Sequence, residues 1–572
     1  MAIKKYIADA DNTVVNAYDA NLKTRGTGAN MGEADILETF SIYGRVTTSS
    51  QELSRILIKF PVTDISTDRT NGDIPASGNV SFYLRLYNAA NSKTVPRDYT
   101  LTVLTVSQSW QEGVGLDLEN YKDLSVGHVG SNWMSASQTT YWKDINNTVL
   151  AGGSYLTGGN VTGIVNTEIF TFTQAFSDGL EDLEVDITPL VEQWMAGTYS
   201  NYGVGIHLSA TYEAYDSGSA NSVTSRIPGQ LALDSDDTTQ SVIYNPSGST
   251  KSYYTKRFFA RGTEYFFKKP NIEARWNSSK ADDRANFFFS SSLAPAAKNL
   301  NTIYLYNYID GQLTDIPDLG DNKHIYVSIY SGSTGGFYKG GDGDDVPPSD
   351  TPVSGTTGSA QVLSLDNASN VNSANQFVVT GGIVSTGIYS ASFAFTGATN
   401  LFTVYDVWFT GSNGTTSATD ATTQYFTGSI KCHTLRASNR MTRPSYYMNI
   451  TNLKDKYRAN ENARFNLYVR NKNWDPTVFT VADTNPPTTT IMSASYHIYR
   501  TLDAYDAIPY GTGSDLQTLM SYDVSGNYFD LDMSLLASGY EYGIKFSFYD
   551  NGLNSWVEQP DVFRFRVEDY EY

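Results

Sequence analysis

Apolar and polar residues alternate along most of this chain, and that period-two pattern limits what the chain can fold into. Alternation puts every second side chain on one face, as in a strand with one buried side. In the segment around Arg55, Ile56, Ile58 and Phe60 share a face. Val80, Phe82, Leu84 and Leu86 repeat the pattern, as do Phe465, Leu467 and Val469. Near the C-terminal end, Tyr542, Ile544, Phe546 and Phe548 do the same. Clusters of Gly, Asn, Asp and Ser separate these runs and read as turns. The expected fold class is all-β. One helix is predicted near Thr188, with Thr188 as its N-cap, Pro189 in the first turn and Gly197 just past its end.

Composition excludes several classes. The 40 Lys and Arg against 60 Asp and Glu leave a net charge of −20, so no nucleic-acid partner is expected. The single cysteine, Cys432, rules out a disulfide scaffold and a multi-cysteine metal site within one chain. No run approaches the roughly 20 apolar residues of a membrane-spanning helix, so no membrane partner is expected. The first fifteen residues hold two lysines but no apolar run of signal-peptide length, which leads to the expectation of cytoplasmic synthesis.

Turn-rich stretches suggest three domains: 1–235, 236–440 and 441–572. The first boundary falls in an acidic segment beginning near Asp234. The second domain carries a Gly/Asp/Pro loop from Gly340 to Ser359. The third contains a strand entry in which Tyr540 or Tyr542 would bond back to the upstream backbone, as in immunoglobulin-like sandwiches.

No catalytic constellation stands out. The five histidines are scattered, and His207 is expected to face solvent beside the inward Val204, Ile206 and Leu208. Cys432 and His433 are strand neighbours on opposite faces, so Cys432 reads as a structural thiol. The acidic groups Asp117/Glu119/Asp123 and Asp178/Glu181/Asp182/Glu184/Asp186 follow no rule that selects a catalytic pair. Asp342, Asp344, Asp345 and Asp350 read as a solvated loop, with a structural calcium as the alternative. No other cofactor is expected.

Tyrosine is abundant, at 41 residues. Tyr304, Tyr306 and Tyr308 alternate with Ile303, Leu305 and Ile309, and Tyr326 and Tyr330 alternate with Ile325, Val327 and Ile329. These five tyrosines predict a tyrosine-studded outer face in the middle domain and are the candidate interface.

Two resemblances add to this reading. Arg55, Leu57 and Phe60 begin a series of spaced matches that continues with Leu84, Leu86 and Tyr87, then Val106, Trp110 and Glu112. It ends with Asp186, Ile187, Thr188, Val191, Trp194, Asn201, Tyr202 and Gly203. The series resembles the DNRLRE-type, disaggregatase-related jelly-roll module of surface and carbohydrate-binding proteins. The resemblance implies a jelly-roll-like β-sandwich in which these are framework residues. Two immunoglobulin-like β-sandwiches are expected to follow it.

Longer phrases lie near the N-terminus, around Trp110 to Asp123, from Leu293 to Pro317 and from Ser521 to Asp550. They resemble a virion structural protein family of contractile-tailed marine phages. That resemblance implies a non-enzymatic virion component, made in the host cytoplasm, on the head, neck, tail or baseplate. Its implied partners are other virion proteins, with the chain itself in a symmetric oligomer or array. The competing expectation is an adhesin for a host glycan that stacks sugars on Trp110, Trp133 and Trp142.

Overall fold

The computed structural model describes residues 2–18, 26–42, 51–91, 95–116, 130–144, 147, 149–156, 171–216, 243–290, 299–319, 325–331, 361–364, 378–397, 403–410, 423–433, 445–472, 474 and 488–569. The chain divides into two compact units, Ala2–Asn277 and Ser278–Tyr572. Both are built from β-sheets, as the alternation predicts.

Eight strands form the frame of the first unit: β1 (Ile3–Ile7), β2 (Glu52–Lys59), β3 (Ser81–Leu86), β4 (Tyr99–Thr105), β5 (Thr171–Phe176), β6 (Leu183–Asp186), β7 (Val204–Leu208) and β8 (Asn271–Arg275). One sheet has the order β1-β8-β3-β6 and the other contains β2-β7-β4-β5. All these pairings are antiparallel. Numbered along the chain, this is the two-sheet order of an eight-stranded jelly roll.

The expected boundary at 235 is corrected to Asn277, because β8 runs between β1 and β3 and completes the first sheet. Tyr254–Phe259 also belongs here, paired along Ile36–Ile42. The acidic segment around Asp234 lies outside the described residues.

The main core lies between the two sheets and holds Ile56, Ile58, Phe60, Phe82, Leu84, Leu86, Ile206 and Leu208. The other face of β2 is also buried. Leu53 and Leu57 pack there with Trp133, Met134 and Trp142. A strand apolar on both faces is the mark of a central position.

Two helices flank the roll. α2 (Thr188–Met195) is the predicted one, with Leu190, Val191 and Trp194 buried. Ile187, not Thr188, holds the cap position. Asp186 Oδ1 accepts the Thr188 N–H (2.9 Å), and the Thr188 hydroxyl accepts the Phe82 N–H (2.7 Å). α1 (Val62–Asn71) was not expected. It buries only Val62 and Ile65, so its sequence carries no apolar helical stripe. Pro61 precedes it, Gly72 ends it in the left-handed conformation, and Arg69 forms a bidentate pair with Glu192 of α2 (2.7 Å each).

The second unit contains two sandwich modules. The first has β9 (Phe287–Phe288), β10 (Asn301–Tyr306), β11 (Ile325–Ser331), β12 (Val379–Ser385), β13 (Ile388–Gly397), β14 (Thr403–Thr410) and β15 (Thr423–His433). Their order is β9-β15-β14-β11-β12-β13-β10. One core joins residues from the two ends of this order, including Phe287, Ile303, Phe393, Trp408 and Ile430. The sheet therefore folds over on itself.

The last module has β16 (Tyr446–Ile450), β17 (Lys456–Arg458), β18 (Asn462–Asn471), β19 (Ala494–Arg500), β20 (Asp506–Ile508), β21 (Ser521–Asp523), β22 (Gly526–Asp532), β23 (Glu541–Asp550) and β24 (Phe563–Glu568). Its two sheets are β16-β18-β22-β21 and β17-β24-β23-β19-β20. This is the immunoglobulin-type arrangement. Tyr542, at the start of β23, donates its hydroxyl proton to the Ala537 carbonyl at 2.8 Å, which makes it the corner tyrosine. Tyr540, the other candidate, is exposed.

The expected division at 440/441 does not separate compact units, since Ser278–Tyr572 forms one. No helix among the described residues is long and apolar enough to cross a membrane.

Candidate functional site

The five candidate tyrosines divide into three environments. Tyr304 is buried and Tyr306 half-buried on β10, their rings stacked with centroids 6.3 Å apart. Tyr330 is buried with Tyr405, Val407 and Phe409, and Tyr326 packs at the edge of that cluster, 5.9 Å from Phe409. Only Tyr308 is open to solvent, at 58%. The predicted outer tyrosine face is therefore corrected: most of it is covered within the same unit.

What meets Tyr306 is the last module. Its hydroxyl lies 3.4 Å from the Tyr528 hydroxyl on β22. The segment entering the middle module runs alongside β21. Ala281 bridges Tyr522 in parallel register. The Tyr522 N–H donates to the Lys280 carbonyl and the Asp282 N–H donates to the Tyr522 carbonyl, both at 3.0 Å. The Lys280 N–H donates to Ser521 Oγ at 2.9 Å. Tyr522 then donates its hydroxyl proton to Asp283 at 2.7 Å, while the other Asp283 oxygen accepts the Thr302 N–H of β10 at 2.7 Å.

The edge of β21 is thus filled by strand addition, and two hydroxyl contacts tie the modules together. Burial, then the Asp283 charge, raises the Tyr522 hydroxyl above its usual range, so it stays protonated and donates. Burial pushes the Asp282 carboxyl up to about 6 against the opposing charge of Arg284.

Behind this junction lies a buried ion pair. Arg284 joins Asp406 of β14, whose side chain is fully buried. The same Asp406 oxygen accepts the Trp408 indole N–H at 2.7 Å, and Arg284 Nη1 donates to the Tyr304 carbonyl at 2.5 Å. Gly428 on β15 leaves room for Asp406, since a Cβ there would lie 2.6 Å from its Oδ1. Desolvating both charges is costly, and the added hydrogen bonds offset that cost. Asp406, Arg284, Tyr522 and Tyr528 were not singled out in the sequence. The available signal was the adjacent pair Tyr528 and Phe529, which puts an aromatic ring on each face of β22, as in a strand covered on both sides.

In the first unit, His207 is corrected from exposed to buried. It lies between Tyr155 and the Arg55–Glu213 ion pair, with Nδ1 2.6 Å from the Leu208 carbonyl. Burial, then the Arg55 charge, lowers it to about 4, so it is neutral near pH 7. Asp11 is also buried. It accepts the Arg261 N–H (2.5 Å) beside the Arg261–Glu112 pair, and burial raises it to about 7.

Trp133 and Trp142 are fully buried, and Trp110 is half-buried with its indole N–H on the Tyr202 carbonyl (2.8 Å). Trp133 and Trp142 are therefore core residues and offer no platform for a sugar. Among the acidic group of β5 and β6, Asp182 accepts the Asn88 N–H, Glu184 pairs with Arg85 and Arg275, and Asp186 holds the start of α2. Asp117, Glu119, Asp123 and the Asp342–Asp350 loop lie outside the described residues. No group of three or more His, Cys, Asp or Glu side chains that could hold a metal occurs among the described residues. Burial pushes the Cys432 thiol up to about 12, which keeps it an unreactive SH group.

No protein-family model and no curated protein matches the chain. Among solved structures, it is similar to trypsin-activated alpha-2-macroglobulin from Escherichia coli at 9% identity and a TM-score of 0.14, over 93% of this chain and 30% of that one. A Salmonella alpha-2-macroglobulin mutant aligns at 9% identity and a TM-score of 0.13, over 99% of this chain and 34% of that one. The chain spans about a third of those proteins, and likeness at this level carries no argument.

Proposed function

We propose that this chain is a non-enzymatic structural component of a tailed-phage virion, contacting neighbouring virion proteins through its β-sandwich modules. The observation that carries the reading is the junction in the second unit. Strand addition at β21, the Tyr306–Tyr528 contact and the Tyr522–Asp283 bond make the two sandwich modules one compact body. A stiff pair of sandwiches built without a disulfide suits a part that folds in a reducing cytoplasm and then holds its shape in an assembly. The resemblance of the long sequence phrases to virion structural proteins supports that setting. The glycan reading loses its motivation with Trp133 and Trp142 in the core. Mass spectrometry of gradient-purified particles should detect the chain at a stoichiometry fixed relative to the major capsid protein. Particles free of the chain would overturn the reading.

A further inference from the structure

The turn between Tyr254–Phe259 and β8 presents aromatic rings to water. Tyr265 and Phe266 are 55% and 57% exposed. They sit on a tight turn, Phe266–Lys268, fixed by the Lys268 N–H on the Tyr265 carbonyl at 2.9 Å. Phe266 meets Phe267 edge-on (5.5 Å), and Tyr265 meets Phe259 (5.6 Å). Lys268 lies 5.0 Å from the Phe259 ring and Lys269 lies 5.8 Å from the Phe266 ring. The turn is therefore a rigid aromatic tip carrying two cations on a chain of net charge −20. Exposed, pre-ordered aromatics are the residues that anchor interfaces, because little side-chain freedom is left to lose on contact.

The same unit carries a turn of complementary character. Between β5 and β6, Leu180 projects at 55% exposure. Asp178, Glu181 and Asp182 surround it in sequence. Glu181 accepts the Ser177 and Asp178 N–H groups at 2.7 Å each, which closes the turn. The buried Lys256 ammonium holds it from below, donating to the Gly179 and Glu181 carbonyls at 3.0 and 2.7 Å. One turn is aromatic and basic, and the other is aliphatic and acidic.

We propose that the chain associates with itself, the Tyr265–Lys269 turn of one copy docking on the Leu180 turn of the next. The partner is a second copy because the matching surface, in charge and in apolar character, is present on this chain. The contact joins two different surfaces, so it repeats head to tail into a ring or filament and does not close as a two-fold pair. Two rings and a leucine are far smaller than a standard interface, so each contact is weak and strongly salt-dependent. Self-association goes beyond the virion reading and does not depend on it.

Sedimentation velocity of the full-length chain at high protein concentration tests this. The expected result is species larger than a dimer in low salt that dissociate in high salt. Phe266→Ser and the pair Lys268→Glu/Lys269→Glu each weaken association about tenfold or more. Adding Asp178→Lys to Lys269→Glu in one chain restores part of it, which a folding defect would not do. A wild-type chain that stays monomeric in low salt, or association unchanged by these substitutions, overturns the proposal.

Discussion

Gly203 shows how a single position fixes the frame of the jelly roll. Its φ of +84° suits glycine, and a Cβ there would lie 2.0 Å from the Ile58 carbonyl oxygen. Gly203→Ala is expected to cost about 2–4 kcal/mol, measured as a lowered urea midpoint of the first unit. Asp406 is the matching position in the second unit. Asp406→Ala leaves Arg284 buried without its carboxylate and should cost about 3–5 kcal/mol, while Arg284→Met with Asp406→Leu should recover most of that loss.

Two buried groups in the first unit oppose each other in pH. Asp11 rises from 3.8 to about 7, so the folded state holds a proton that the unfolded state has released, and stability falls as pH rises through that window. His207 drops from 6.5 to about 4, so the unfolded state binds the extra proton, and stability rises with pH between those values. Asp11→Asn should leave a stability that climbs from pH 4 to 6.5. His207→Gln should leave one that falls over the same range. Unfolding midpoints across pH check both, and profiles identical to wild type would contradict the assignment.

At the scale of elements, the strands were legible and the covers on them were not. Phe82, Leu84 and Leu86 were placed correctly because one face of β3 meets the core. Alternation reports one buried face, but it cannot say whether the polar-looking face is also covered. Tyr304, Tyr306 and His207 were misread for that reason: their outward positions are buried by elements far away in sequence. Helix α1 was missed because tertiary pairing through Arg69 and Glu192, not an apolar stripe, holds it in place. The Tyr542 corner was legible because it depends on local spacing. Tyr542→Phe is expected to cost about 1 kcal/mol, read by chemical denaturation, through loss of the bond to Ala537. Tyr522→Ala should speed amide exchange at Asp282 and along Ser521–Asp523, because the added strand loses its anchor. Unchanged protection there would contradict the junction.

For the whole molecule, the all-β sandwich character could be read from the sequence, but the borders could not. The acidic stretch near Asp234 looked like a linker, yet Tyr254–Phe259 and β8 return to the first unit after it. A jelly roll closes its first strand against its last, so its boundary is set by long-range pairing and leaves no local mark. The tyrosine excess changes meaning in the same way. Tyr304, Tyr306, Tyr522 and Tyr528 serve a contact inside the chain, and Tyr265 and Phe266 are among the aromatics that stay exposed. The most direct test of the virion assignment is a reconstruction of the intact particle at a resolution that separates strands. The account predicts symmetry-related densities into which the jelly roll and the joined pair of sandwich modules each fit as rigid bodies. A particle whose density is fully assigned to other proteins would contradict it.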